Sequence, residues 1–153
     1  ENFFSDLVCD HLNRDLKGIA AHREVEARNR RGRGLGDRTD ILVTATPNAR
    51  SGAVDPINVV IEAKGCWNKA LKTAMKDQLK EQYLIDERHT CGLYLVGWFK
   101  CDAWNDASDS RLRTVPNWSL DEAAAEFDAQ ADDLSGDGFV LQALVVDVGL
   151  PIK

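Results

Sequence analysis

Asp40, Glu62 and Lys64 are two carboxylates and an amine carried on two apolar runs, a combination able to hold a hard divalent cation beside a fixed positive charge. The run Asn58-Val59-Val60-Ile61-Glu62-Ala63-Lys64 is rich in β-branched residues, which favours a pleated, buried strand. Side chains alternate along a strand, so Val60, Glu62 and Lys64 share one face and Val59, Ile61 and Ala63 the other. A carboxylate and an ammonium at the end of a core-forming strand carry a desolvation cost, tolerated more readily where the pair does chemistry. Asp40 heads a second apolar run, Ile41-Leu42-Val43-Thr44-Ala45, and the connector from Pro47 to Pro56 holds Asn48, Ser51 and Gly52, all loop formers. The simplest arrangement is an antiparallel hairpin. With Asp40 beside Glu62, two carboxylates and one lysine converge on a small volume, and such oxygen ligands suit Mg²⁺ or Mn²⁺, not zinc.

Asp40 followed by Glu62-Ala63-Lys64 resembles the motif of the PD-(D/E)xK nuclease superfamily, in order of elements from Glu1 to Phe99. The aspartate opens one strand, E-x-K closes the next, and a long helix carrying glutamines follows. Thr39 stands where the nominal proline would precede the aspartate, a proline commonly missing in the superfamily. The resemblance implies the restriction-endonuclease-like fold, an α/β architecture with a mixed central β-sheet of about five strands flanked by helices. It implies a Mg²⁺-dependent (or Mn²⁺-dependent) nuclease hydrolysing phosphodiester bonds, with DNA favoured over RNA, and a place as an effector module in a restriction, repair or phage-defence system.

In that family reading Asp40 and Glu62 hold the metal with the Ala63 carbonyl, and Lys64 orients the attacking water or stabilises charge on phosphorus. A glutamine on the following helix supports the site, a role that Gln78 or Gln82 could fill; Gln78 is the choice here. A first-helix glutamate, Glu1, is the candidate auxiliary metal ligand, against the simpler reading that a glutamate there does no more than complement the helix dipole.

The elements that must position these groups follow from periodicity. Phe3, Phe4, Leu7, Val8, Leu12 and Leu16 recur at helical spacing, predicting an amphipathic helix over residues 2–17 that stops at Gly18. Residues 19–27 alternate weakly as a first strand, with His22 and Glu24 on one face and Arg23 and Val25 on the other. After Gly65 the pattern predicts one long helix over residues 68–87. At 100° per residue Lys69, Lys72, Lys76 and Lys80 fall within an arc of about 80°. Ala70, Leu71, Ala74, Met75, Leu79 and Ile85 cover the opposite side, with Gln78 and Gln82 in its middle. A buried amide needs partners, which the acidic cluster would supply; a glutamine reaching water from the helix edge is the bland alternative. The dense run Leu93 to Phe99 reads as a central strand buried on both faces, and strand, helix, strand implies a parallel crossover. A long loop over residues 102–118 follows. Ser119 and Glu122 form a capping-box pattern ahead of a helix over residues 120–134, and Gly136-Asp137-Gly138 turns into a last strand over residues 139–148.

A chain of 153 residues fits a single domain over residues 1–153, and its start without Met suggests a fragment of a larger protein. No apolar run approaches the ~20 residues that span a bilayer, which sets membranes aside as partners. Cys9, Cys66, Cys91 and Cys101 show neither C-x-x-C spacing nor histidines at zinc-finger distances, so free thiols in a reducing cytoplasm are expected. The net charge of −6 argues against a protein that coats nucleic acid nonspecifically. Its acidity is C-terminal, since residues 1–118 carry 18 basic and 17 acidic side chains while 119–153 set Lys153 against eight acids.

Between the first two strands lies a segment with five arginines, Arg28, Arg30, Arg31, Arg33 and Arg38, among three glycines. Forked guanidinium contacts to phosphate are the functional reading, with Arg30, Arg31, Arg33 and Arg38 joined by Lys69 and Lys72 as nucleic-acid contacts; solvated charge is the alternative. Two rival functions stay open: a catalytically silent nucleic-acid-binding module of the same fold, and a protein-interaction domain that uses Trp67, Trp98, Trp104 and Trp118. A homo-oligomer or further domains of a longer chain are equally open.

Overall fold

The computed structural model describes residues 2–26, 38–45 and 55–149. Their order is helix α1 (Asn2–Asp15), strands β1 (Ile19–Glu26), β2 (Arg38–Ala45) and β3 (Ile57–Gly65), a π-helix (Met75–Ile85), β4 (Cys91–Trp98), a short 3₁₀ turn (Ser110–Arg113), α2 (Leu120–Leu134) and β5 (Val140–Asp147). The five strands form one mixed sheet in the order β1-β2-β3-β4-β5. The first three run antiparallel as a meander, and β4 and β5 each join in parallel after a helical crossover. The protein has an α/β fold with an open mixed sheet between helices.

Alternation along the strands decides what each helix covers. Ile41, Val43, Ile61, Ala63 and Leu95 face α1, which packs Phe4 and Cys9 onto them. Asn13 fastens α1 to β1 by imitating a strand partner: its Oδ1 accepts from Ala21 N at 2.8 Å and its Nδ2 donates to Ala21 O at 2.9 Å. Val60, Tyr94, Val96 and Leu141 face the other way, under the π-helix and Phe127 of α2. Burying each such large apolar side chain contributes roughly 1.5–3 kcal/mol.

Two expected elements take a different shape. The long helix expected over 68–87 is a series of turns to Thr73, bonded Leu71 N to Asn68 O and Thr73 N to Ala70 O, followed by the π-helix. Its i→i+5 ladder widens each turn, so Met75, Leu79, Tyr83 and Leu84 form the buried row while Ile85 is 48% exposed. The stretch expected as a loop over 102–118 contains the 3₁₀ turn, whose Asp109 accepts from Arg111 N at 3.0 Å. Helix α2 starts as its sequence dictates: Ser119 Oγ accepts from Glu122 N at 3.1 Å and Glu122 Oε2 accepts from Ser119 N at 2.7 Å. It leads to β5 through Gly136, Asp137 and Gly138, all at positive φ, where glycine twice removes the strain of a side chain.

Candidate metal centre and its surroundings

The antiparallel register pairs Ile41 with Ile61, and the next residues along the two strands are Asp40 and Glu62. Leu42 and Val60 both pack beneath the π-helix. Alternation therefore sends Asp40, Glu62 and Lys64 to that same face. Asp40 does not merely lie nearby: its Oδ2 accepts the Ala63 N–H at 2.9 Å, which holds the carboxylate against the peptide joining Glu62 to Ala63. Asp40 is half-buried, whereas Glu62 and Lys64 are 1% and 8% exposed. The Lys64 ammonium donates to Glu62 Oε1 in a buried ion pair. Such a pair offsets the desolvation of each charge only while both partners remain.

The walls are built by β4 and the π-helix. Tyr94 stands level with Glu62 in the parallel register, is fully buried, and donates its hydroxyl to Leu71 O at 2.6 Å. That bond ties the turns after β3 to the neighbouring strand. Gln78 and Gln82 are half-buried along the flank of the π-helix's apolar row. The Gln78 Oε1 is held away from solvent and accepts no hydrogen bond among the described residues. A buried acceptor without a donor costs roughly 1–3 kcal/mol, a penalty that a ligand-binding site can retain for function.

The donor set fits magnesium better than the metals that build closed cages. Mg²⁺ is commonly held by one or two carboxylates and keeps its remaining positions for water and substrate phosphate. Asp40, Glu62 and the Ala63 carbonyl are such a set of hard oxygens. Among the described residues no three His, Cys, Asp or Glu side chains gather as a metal cluster.

The remaining expected contacts are spread more widely. Glu1, Arg30, Arg31 and Arg33 lie outside the described residues. Arg38 opens β2 in register with Glu26, with its side chain likewise outside the description. Lys69 is exposed in the turns after β3. Lys72 is exposed too, and its Nζ stands 4.4 Å over the Trp118 ring, while Lys80 donates to Leu134 O at 2.8 Å. Part of the lysine stripe is thus engaged at the two ends of α2, Lys72 just before it and Lys80 at its last residue.

One cluster was invisible from spacing. Trp67 packs against Phe99 with ring centres 4.8 Å apart and meets Trp104 edge-on at 5.8 Å. The Arg111 guanidinium stands 5.4 Å from the Trp67 ring centre and 5.6 Å from that of Trp104. Asp109 orients the group, accepting from Trp104 Nε1 at 3.0 Å and from Arg111 Nη2 at 2.6 Å. The Arg111 bonds hold the Asp109 carboxyl well below the usual carboxylate range. A sequence signal does exist, since Gly65-Cys66-Trp67 and Gly97-Trp98-Phe99 both place a glycine two residues before an aromatic ring.

Comparison of the chain with protein-family models, with curated proteins and with solved structures finds no match. No described helix is long and apolar enough to cross a membrane.

Proposed function

We propose that this chain is a divalent-metal-dependent nuclease, a phosphodiester hydrolase acting on nucleic acid, with DNA favoured over RNA. The observation that carries the reading is the bond from the Ala63 amide to Asp40, which draws one carboxylate onto the strand that presents Glu62 and Lys64 on the same sheet face. Asp40, Glu62 and the Ala63 carbonyl would hold Mg²⁺ or Mn²⁺. Bound there, the cation would supply charge neutralisation at a phosphate oxygen and acidify a coordinated water. Lys64 brings a positive charge fixed by its buried stem, suited to orienting the attacking water or stabilising negative charge on phosphorus. Gln78 offers a side-chain amide on the helix packed over that face, able to position a water or a phosphate oxygen.

Incubating the protein with linear, circular and single-stranded DNA and with RNA, each with Mg²⁺ and with EDTA, tests this reading. Metal-dependent cleavage lost in Glu62→Gln is the expected result; equal cleavage by Glu62→Gln would remove the assignment. The second reading, a catalytically silent binding or interaction module, draws on the same buried Glu62–Lys64 pair, because a structural ion pair needs no metal. It predicts no metal response in either cleavage or melting temperature.

A further inference from the structure

Gly65 and Gly97 are register partners at the carboxyl ends of β3 and β4. A Cβ on Gly65 would lie 2.7 Å from the Trp67 ring, and one on Gly97 would lie 2.7 Å from the Phe99 ring. Two adjacent strands thus give up their side chains so that two aromatic rings can lie back over the sheet end. Trp104, Arg111 and Val148 complete a cleft of about 340 Å³ over this floor. That volume is at the low end of the roughly 300–1,000 Å³ of small-molecule sites, enough for one flat ring system.

We propose that this cleft holds one unpaired nucleobase of a single-stranded segment of the substrate, a proposal that rests on the nuclease reading above. The chemistry favours a neutral ring over a cation. Arg111 already places a guanidinium by both tryptophan rings, so a second positive charge would be repelled, whereas a base can stack on an aromatic face or on the guanidinium plane itself. The cleft is also fixed before any ligand arrives. Asp109 locks Arg111 and Trp104, and Thr114 Oγ1 donates to Trp67 O at 2.6 Å, pinning the 3₁₀ turn to the chain leaving β3. Lys64 and Trp67 are three residues apart, so their backbones lie within about 11 Å. Lys64 and Gly65 face opposite sides of β3, so the Trp67 ring over Gly65 and the Lys64 side chain lie on opposite faces of one sheet end; a strand wrapping that end would set a phosphate on the Lys64 face and turn a base onto the rings.

The test is binding in EDTA, where no cleavage takes place, followed by tryptophan fluorescence. The probes are a single-stranded oligothymidylate and an oligomer of the same length with abasic sugars. The base-bearing oligomer is expected to quench fluorescence and to bind about 5- to 150-fold more tightly, the span for stacking one base on an aromatic side chain. Trp104→Ala and Arg111→Ala should remove that preference, and Trp104→Phe should retain most of it, each with unchanged circular dichroism. Equal binding of the two oligomers, or an undiminished preference in folded Trp104→Ala and Arg111→Ala, overturns the proposal. Binding of neither oligomer overturns it as well, while metal-dependent cleavage of duplex DNA in that same preparation would leave the nuclease reading standing. Base-selective binding without cleavage under any metal would do the reverse.

Discussion

The Asp40 carboxylate accepts the amide proton of Ala63, so the side chain of β2, at 2.9 Å, reaches the peptide that separates Glu62 from its neighbour. One carboxylate oxygen is committed to the backbone, which fixes the group in place. Fixation of this kind lets a site assemble without long side chains having to be ordered when ligand arrives.

Asp40→Asn keeps an acceptor oxygen for Ala63 and should fold with nearly the wild-type melting temperature. Asp40→Ala loses the acceptor and should be less stable by about 1–3 kcal/mol, the cost of stranding a partly buried donor. In wild type, Mn²⁺ or Mg²⁺ should raise the melting temperature, and neither variant should respond as strongly. Melting curves in EDTA and in Mn²⁺ decide it: a wild type indifferent to metal would contradict a metal centre at Asp40.

The Glu62–Lys64 pair predicts strong non-additivity. Lys64→Met leaves a buried carboxylate without its ammonium and should destabilise by roughly 3–5 kcal/mol, whereas Glu62→Leu combined with Lys64→Met should recover much of that loss. Urea unfolding of the two single variants and the double variant measures the coupling. Additive losses would show that the two side chains stand independently.

Gln78 separates stability from activity. Gln78→Met removes a buried oxygen that accepts no hydrogen bond among the described residues, so it should raise the unfolding free energy slightly while reducing metal-dependent cleavage. A variant both less stable and fully active would assign Gln78 to packing alone.

The four thiols should divide by burial. Burial pushes the Cys66 and Cys9 thiols up, whereas Cys91 and Cys101 are partly exposed. Near neutral pH a thiol reagent should therefore modify Cys91 and Cys101 first and reach Cys66 only on unfolding. The sign of the linkage follows: with folded values above the ordinary thiol value of 9.0, the contribution to stability is fully present below it and is lost as pH rises through the raised value. Peptide mapping after brief alkylation checks the order, and early labelling of Cys66 would contradict it.

What the sequence made legible follows local rules. The capping box at Ser119 and Glu122 marked the start of α2, and alternation placed Glu62 and Lys64 on one face, because both signals are contained in a few consecutive residues. The hairpin of β2 and β3 followed from two apolar runs around a loop-forming connector. The widened helix did not follow, since an apolar row only a few turns long fits more than one helical period; Leu84 was buried in place of Ile85. The Asp40 to Ala63 bond and the packing of Trp67 against Phe99 are tertiary, joining residues whose separation in the chain carries no periodic signal.

Eleven residues of i→i+5 helix are unusual, because such winding is mostly confined to single-turn bulges, often beside functional sites. The shape over Glu62 and Lys64 is therefore maintained by Met75, Leu79, Tyr83 and Leu84 locking into the sheet, and not by the intrinsic preference of the backbone. A slip of one residue toward i→i+4 bonding would turn Gln78 about the helix axis and re-aim its amide, with no separate hinge required. Amide exchange should therefore find this helix opening before β3 and β4, since its winding depends on packing that the strand ladders do not need.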